Sequence, residues 1–211
     1  MRDKKLIFKE FDSHLMKDEK PSDYFNNLIK EGEFPEIYPF NLIEELREVP
    51  QSPKHHPEGS VWNHTMMVVD NAAERKKLSE EPHAFMWAAL LHDLGKKPTT
   101  KLRKGRITAY EHDIQGEKIA RKFLEEFTED KEFIDKVCYL VRWHMQILFL
   151  VKDLPFADVK NMILQVSPDE VALLSLCDRL GRGEMTEDKY KEEEENINTF
   201  LYKIKKFNSK V

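Results

Sequence analysis

The sequence predicts an all-α protein, and three observations carry that expectation. Its 211 residues include only seven glycines, most of them beside periodic segments, where they serve as turns and caps. Apolar residues recur at three- and four-residue spacing over most of the chain, the period of helices with a buried face. Helix-start signals, Ser60, Pro82 and Ser167-Pro168, stand directly before such runs. At 40% hydrophobic and 10% aromatic residues there is material for one full-sized core.

Residues 3–17 and 22–30 read as short helices, and 40–47 as a third after a proline-interrupted stretch. Residues 49–59 hold Pro50, Pro53 and Pro57, which regular helix does not tolerate, so they form a loop. Ser60 caps a helix over 60–78, with Val61, His64, Thr65, Val68 and Ala72 on one face. Pro82 opens the next helix, whose stretch 84–94 is apolar nearly all round, the pattern of a central buried helix, and Gly95 ends it. The pattern breaks over 96–110, where 102–108 around Lys104-Gly105 reads as a short β-hairpin. Helices resume at 113–127 and 130–150, the latter with Phe133, Val137, Leu140, Val141 and His144 in one stripe, and a short helix follows at 157–165. Ser167-Pro168-Asp169-Glu170 is a capping box that starts a helix over 168–180. The closing helix, 186–207, is amphipathic, with Tyr190, Ile197, Leu201 and Ile204 on one side and the acidic run 192–195 on the solvated side. The expected organisation is an N-terminal helical extension packed on the core (1–48), the core itself (49–183) and a C-terminal amphipathic helix (184–211).

With 34 Lys plus Arg against 39 Asp plus Glu, the net charge of −5 excludes a polybasic protein that tracks a long nucleic acid. No apolar stretch approaches the ~20 residues a membrane helix needs. The N-terminus lacks a secretory pattern, so the cytoplasm is the expected location. Cys138 and Cys177 lie on apolar faces without Cys-x-x-Cys spacing and read as buried thiols.

Of eight histidines, His64, His92, His112 and His144 each fall on a different predicted element, in segments that argue for burial or a helix start. One buried histidine is ordinary; the company of these four is not. His92 is followed by Asp93 near the end of the apolar helix, and burying that pair uncompensated would cost several kcal/mol. Adjacent helical positions point ~100° apart, so the two side chains can straddle one ion at the helix end. Asp178, four residues after Leu174, aims a second carboxylate into an apolar stripe. Mixed His and Asp donors suit divalent Mn, Fe, Co, Ni or Zn, and spacing does not choose among them. Between Gly95 and Tyr110 stand Lys96, Lys97, Lys101, Arg103, Lys104 and Arg106 with no acidic residue, a stretch that beside a dication would draw phosphate. An ordinary solvated basic hairpin is the alternative, and it suits Arg103 and Lys104 better than Lys96, three residues after Asp93.

The ordered set His64, His92-Asp93-Leu94-Gly95-Lys96 and Asp178 resembles the HD metal-dependent phosphohydrolase superfamily. Over about residues 35–183 it is most similar to the HD domain that follows the catalytic head in bacterial CCA-adding tRNA nucleotidyltransferases. The similarity runs through Lys54-His55-His56-Pro57-Glu58, His64-Thr65-Met66-Met67-Val68, Lys97-Pro98-Thr99-Thr100, Gly105-Arg106, Tyr110-Glu111-His112 and Asp178-Arg179-Leu180-Gly181-Arg182. It implies a fold of about five core helices and hydrolysis of a phosphomonoester or a (cyclic) phosphodiester of a nucleotide or RNA end. The implied cofactor is one or two divalent ions, Mg included among the candidates.

By the same resemblance, His64, His92, Asp93 and Asp178 are metal ligands, and His112 and His144 hold a second ion with Asp93 as bridge. Asp93 and Lys96 are the implied catalytic residues, and Lys96, Lys97 and Arg182 the phosphate contacts. Arg182 equally suits a helix cap or a pair with Glu184, and His55 or His56 either reaches the site or lies in a surface turn. Glu111 stands where relatives often have Gly, and Asp113 where they often have Glu. Gly95-Lys96 replaces the acidic pair of guanosine-tetraphosphate hydrolases, which argues against that branch. With no Gly-Gly loop in the sequence, nucleotide addition is not expected. The second reading is an HD-fold nucleotide-sensing or regulatory module without turnover. Expected partners are a small nucleotide or an RNA-terminal phosphate, with a homodimer left open and no membrane.

Overall fold

A computed structural model describes residues 3–183 and 185–209 of the chain. Residues 1, 2, 184, 210 and 211, which the expected segments 1–48 and 184–211 include, lie outside the described residues, and with them the pairing of Arg182 and Glu184.

The chain opens with α1 (Lys4–Lys17) and α2 (Pro21–Glu31), followed by the short α3 (Asn41–Glu44), which tightens into a 3₁₀ turn over Glu45–Glu48. The proline-bearing loop returns to α4 (Val61–Arg75), whose first turn is capped by the Ser60 side chain on the Asn63 amide, as expected; a 3₁₀ turn, Lys76–Leu78, completes the predicted span. Next come α5 (Pro82–Leu91) and the one-turn α6 (Lys96–Thr99), then β1 (Thr100–Arg103) paired antiparallel with β2 (Arg106–Ala109). Lys104 and Gly105 both have positive φ, the geometry of a two-residue hairpin turn, so the hairpin forms where the sequence places it. The remaining helices are α7 (His112–Glu125), α8 (Lys131–Trp143), α9 (Gln146–Val151), α10 (Val159–Gln165), α11 (Pro168–Leu180) and α12 (Glu187–Asn208). The protein is all-α with one small hairpin.

The core is organised around α5, which is buried on every side from Ala84 through Leu91 and packs against α4, α8, α11 and α1. With α7, which lies against α8, these give the expected five-helix bundle of α4, α5, α7, α8 and α11. Ile7, Phe11 and Leu15 of α1 and Phe25 of α2 belong to the same apolar cluster as α4 and α5. A second cluster, with Trp143, Ile147, Met162, Val171 and Phe200, joins α8 to α12.

Three expectations are corrected in detail. The helix predicted over 130–150 breaks after Trp143: His144 Nδ1–H donates to the Val141 carbonyl at 2.7 Å, and Ser175 Oγ donates to the His144 carbonyl at 2.7 Å. Both carbonyls are thereby occupied by side chains where a continuous helix would use them for its own ladder. The apolar helix stops at Leu91 instead of Leu94, with His92 Nδ1–H donating back to the Ala89 carbonyl. The capping box is not formed: Ser167 makes no side-chain cap, and Glu170 accepts from Ser79 Oγ and the Glu80 amide instead, tying α11 to the turn before α5.

Candidate metal centre

The ends of α4, α5, α7, α8 and α11 bring His64, His92, Asp93, His112, His144 and Asp178 together, all buried. The close approach depends on Gly95: a Cβ there would sit on the carbonyl oxygen of His112, so only glycine lets the start of α7 reach the His92-Asp93 turn. Glu111 adopts the left-handed conformation (φ 61°, ψ 22°), which turns the chain from β2 into α7 and delivers His112. Asp113 is buried and accepts from Arg142.

The histidines are oriented alike. Nδ1–H of His92, His112 and His144 donates to the backbone carbonyls of Ala89, Ala109 and Val141 at 2.9, 2.7 and 2.7 Å, and Nδ1 of His64 lies 3.0 Å from the Gly181 carbonyl. With Nδ1 so engaged, each ring turns Nε2 inward. His64 Nε2 is 3.0 Å from Asp178 Oδ1 and 3.7 Å from Asp93 Oδ2, and His92 Nε2 is 3.2 Å from Asp93 Oδ2. On the other side of the same carboxylate, His112 Nε2 is 3.6 Å from Asp93 Oδ1 and 3.2 Å from His144 Nε2. Two donors each bound at about 2.0–2.1 Å to one ion stand roughly 3.0–3.4 Å apart, which is the scale of these separations.

A fit test comes from the buried polar atoms. Nε2 of His64, Nε2 of His92 and both oxygens of Asp93 are buried with no partner in hydrogen-bond geometry, despite the short contacts around them. Such atoms are costly unless a cation satisfies them. The donor set therefore fits a divalent ion shared by His64, His92, Asp93 and Asp178, and Asp93, His112 and His144 form a second cluster able to hold one. Asp93 faces one cluster with each oxygen.

Charges follow the packing. Burial alone would raise the Asp93 carboxyl, but His92 and Lys96 beside it hold it well below the usual carboxylate range. Asp178 is held low against burial by Arg182 and His64. Burial, with His112 and His92 adjacent, pushes His144 down to about 3, and burial also lowers His112. His64 goes the other way, because its contacts with Asp178 and Glu58 outweigh burial.

The centre opens onto a cavity of about 650 Å³, within the range of small-ligand sites. Lys96 lines it, its Nζ 2.7 Å from Asp93 Oδ2 and donating to Gln51 Oε1 at 2.6 Å. Arg182 lines it too, with Nη2 bridging both Asp178 oxygens at 3.1 Å and a buried Nε left unpartnered. Lys97 is not brought there: it is exposed and pairs with Glu48 at 3.2 Å and Glu45 at 3.7 Å. Lys101, Arg103, Lys104 and Arg106 are exposed on the hairpin, Arg103 over the Tyr110 ring. His55 and His56 both line the cavity, His55 exposed and His56 half-buried. Burial beside Lys96, His64 and Arg182 outweighs the Glu58 contact and pushes His56 down to about 4.

Residues without an expected role also contribute. Gln51 fixes Lys96, Glu58 contacts two imidazoles, and Lys152, Arg179 and Glu192 line the outer cavity. Glu58 stood in the run Lys54-His55-His56-Pro57-Glu58 of the family resemblance without a role of its own, and Gln51 only in a proline-rich loop, which has no periodicity to show which side chains turn inward.

Comparison with known proteins gives the family. Residues 61–183, more than half the chain, match the HD domain. A multifunctional CCA protein of Actinobacillus pleuropneumoniae serotype 5b (strain L20) is 36% identical over 118 residues, covering 54% of this chain and 28% of the relative. That of Aromatoleum aromaticum (strain DSM 19018 / LMG 30748 / EbN1) is 33% identical over 155 residues, covering 70% of this chain and 36% of the relative. That of Methylococcus capsulatus (strain ATCC 33009 / NCIMB 11132 / Bath) is 46% identical over 79 residues, covering 37% and 17%. The chain thus spans about a third or less of these curated relatives.

Proposed function

We propose that this chain, which belongs to the HD domain family, is a metal-dependent phosphohydrolase acting on a phosphomonoester or (cyclic) phosphodiester of a nucleotide or RNA end. The observation that carries the reading is the convergence of four imidazole Nε2 atoms and two carboxylates, of which His64 Nε2, His92 Nε2 and both Asp93 oxygens are buried without partners, beside two cations on a ligand-sized cavity. Similarity to multifunctional CCA proteins, with the resemblance to the HD domain of CCA-adding tRNA nucleotidyltransferases, supports an RNA end as substrate.

His64, His92, Asp93 and Asp178 would hold one ion, and Asp93, His112 and His144 a second. An ion so held supplies Lewis acidity, making water nucleophilic near neutral pH and withdrawing charge from the phosphoryl group. The chain's own residues do the rest. The carbonyls of Ala89, Ala109 and Val141 keep three rings in one tautomer with the donor nitrogen inward. Lys96, held between Asp93 and Gln51, offers a charge-assisted hydrogen bond to a phosphate oxygen, and Arg182 presents its remaining N–H groups from its anchor on Asp178.

A metal-depleted preparation reloaded with Mn, Fe, Co, Ni, Zn or Mg should hydrolyse phosphomonoesters or phosphodiesters in a nucleotide and RNA-end panel. Activity that survives Asp93→Ala would overturn the assignment. The sensing alternative has one observation behind it: α12 extends beyond the matched 61–183 and packs on α11, the helix that carries Asp178, so a partner on α12 has a direct path to the site. Nucleotide binding without turnover across that panel would favour it.

A further inference from the structure

We propose that Glu58 is a positioning residue that couples the ligand histidine His64 to His56, and that His56 contacts the substrate; the inference rests on the reading of the centre as an ion-holding phosphohydrolase site. A single oxygen, Glu58 Oε1, accepts from His56 Nδ1–H at 2.8 Å and lies 3.1 Å from His64 Nδ1. The other oxygen, Oε2, is buried without a partner, and the whole side chain is only 3% exposed. A carboxylate withdrawn from water in a surface loop costs stability unless its charge is used. The two rings it joins stand edge to face with centroids 5.0 Å apart, and His56 lines the cavity.

An imidazole that gives Nδ1–H to a carboxylate presents Nε2 as an acceptor. For His64 that atom faces Asp178 and Asp93, and a carboxylate behind a ligand imidazole raises its basicity toward the ion. For His56, whose Nδ1 is taken by the nearly buried Glu58, Nε2 is the ring nitrogen left to meet a ligand in the cavity that His56 lines. That edge suits a hydroxyl or N–H donor of a nucleotide or RNA end. The two histidines depend on Glu58 differently. His64 Nδ1 also has the Gly181 carbonyl at 3.0 Å, whereas Glu58 is the one hydrogen-bond partner of the His56 ring among the described residues. Glu58→Gln therefore keeps the shape and removes the charge behind both rings, while His56→Ala leaves the Glu58–His64 contact in place.

Three measurements on the full chain test this. They are ¹⁵N-histidine spectra of the Zn²⁺ form, Zn²⁺ affinity by chelator competition, and binding of adenosine 5′-monophosphate to the Zn²⁺ form. The wild type should show the Nδ1–H tautomer at His56. Glu58→Gln should weaken Zn²⁺ binding about tenfold or more, with His56→Ala staying within about threefold of the wild type. His56→Ala should weaken nucleotide binding about fivefold, the loss of one hydrogen bond. An Nε2–H tautomer at His56 in the wild type, Zn²⁺ affinity unchanged in Glu58→Gln, or nucleotide affinity unchanged in His56→Ala would each overturn the proposal. A wild type that holds no Zn²⁺ would overturn the reading of the centre itself, so the two failures are distinguishable.

Discussion

Around Phe11 the rings of Tyr24, Phe25, Phe34 and Phe40 pack edge-on, their centroids 5.0 to 6.0 Å away, within the main apolar cluster. At the candidate metal centre, His64, His92 and Asp93 are buried just as deeply, yet four of their polar atoms lack hydrogen-bond partners. Equal burial has opposite consequences in the two regions. The aromatic cluster stabilises the fold through area removed from water and ring geometry. The histidine cluster costs stability unless a cation satisfies its donor atoms, which are grouped closely enough to hold one.

The largest expected effects separate the two regions most sharply. Asp93→Ala, which removes both carboxylate oxygens shared by the two clusters, should lower hydrolysis about a thousandfold or more, the equivalent of several kcal/mol of transition-state stabilisation. Phe11→Ala should cost about 3–5 kcal/mol of folding stability, read by denaturant titration, and leave kcat per folded molecule unchanged. If Phe11→Ala impaired kcat in the folded fraction as severely as Asp93→Ala, the contrast would fail.

An added divalent ion should stabilise the protein, by about 2.7 kcal/mol at a hundredfold excess over Kd, in wild type and Phe11→Ala alike. Burial would lower the His64 pKa, but Asp178 and Glu58 raise it, so an ion entering the centre displaces a proton there. Calorimetry in two buffers should detect that proton, and ion affinity should fall as pH falls. Affinity independent of pH would contradict the assignment of His64 as a ligand.

A smaller effect sits where α1 meets α5. Asp12 accepts from His83 and, at 2.8 Å, from Trp87 Nε1. Burial alone would raise its carboxyl, but these donors and the charge on His83 hold it below its usual value. A carboxyl lowered in the folded state contributes stability above the unfolded pKa of about 3.9, and that contribution is lost as pH falls through the folded value. The gap in Tm between wild type and Asp12→Asn should therefore be present at neutral pH and close on acidification. A gap constant with pH would assign the effect to shape alone.

Signals that act within one helical turn were the most legible part of the sequence. Helix starts at Ser60, Pro82, Pro168 and Thr186 stand where local chemistry puts them, because caps and N-terminal prolines act within one turn. The inward-facing histidines were legible one at a time, from stripes shared with Val61, Val68, Leu140 and Val141. What was not legible depends on residues distant in sequence. Ser175, on another helix, takes the His144 carbonyl and breaks the predicted helix, and Glu170 leaves its capping box for Ser79 and Glu80. Glu58 and Gln51 sit in a loop without periodicity, and their contacts with His64 and Lys96 exist only once that loop is folded against α4 and α6.

The adjacent lysines at the start of α6 give the finest test of the same contrast. Both were expected to contact phosphate, with Lys96, three residues after Asp93, also singled out as catalytic. Lys96 is drawn inward by Asp93 and Gln51, only 11% exposed, and lines the cavity. Lys97 points about 100° further round the helix and meets Glu45 and Glu48 at the surface, where an ion pair is worth little. Lys96→Ala should raise KM for a phosphate ester about tenfold or more, as the loss of a charge-assisted hydrogen bond predicts. Lys97→Ala should change it less than about twofold at physiological salt, and move stability by less than about 1 kcal/mol. Comparable losses in the two variants would mean that the bound state turns Lys97 away from Glu45 and Glu48 toward the phosphate, and would extend the site beyond the cavity that Lys96 and Arg182 define.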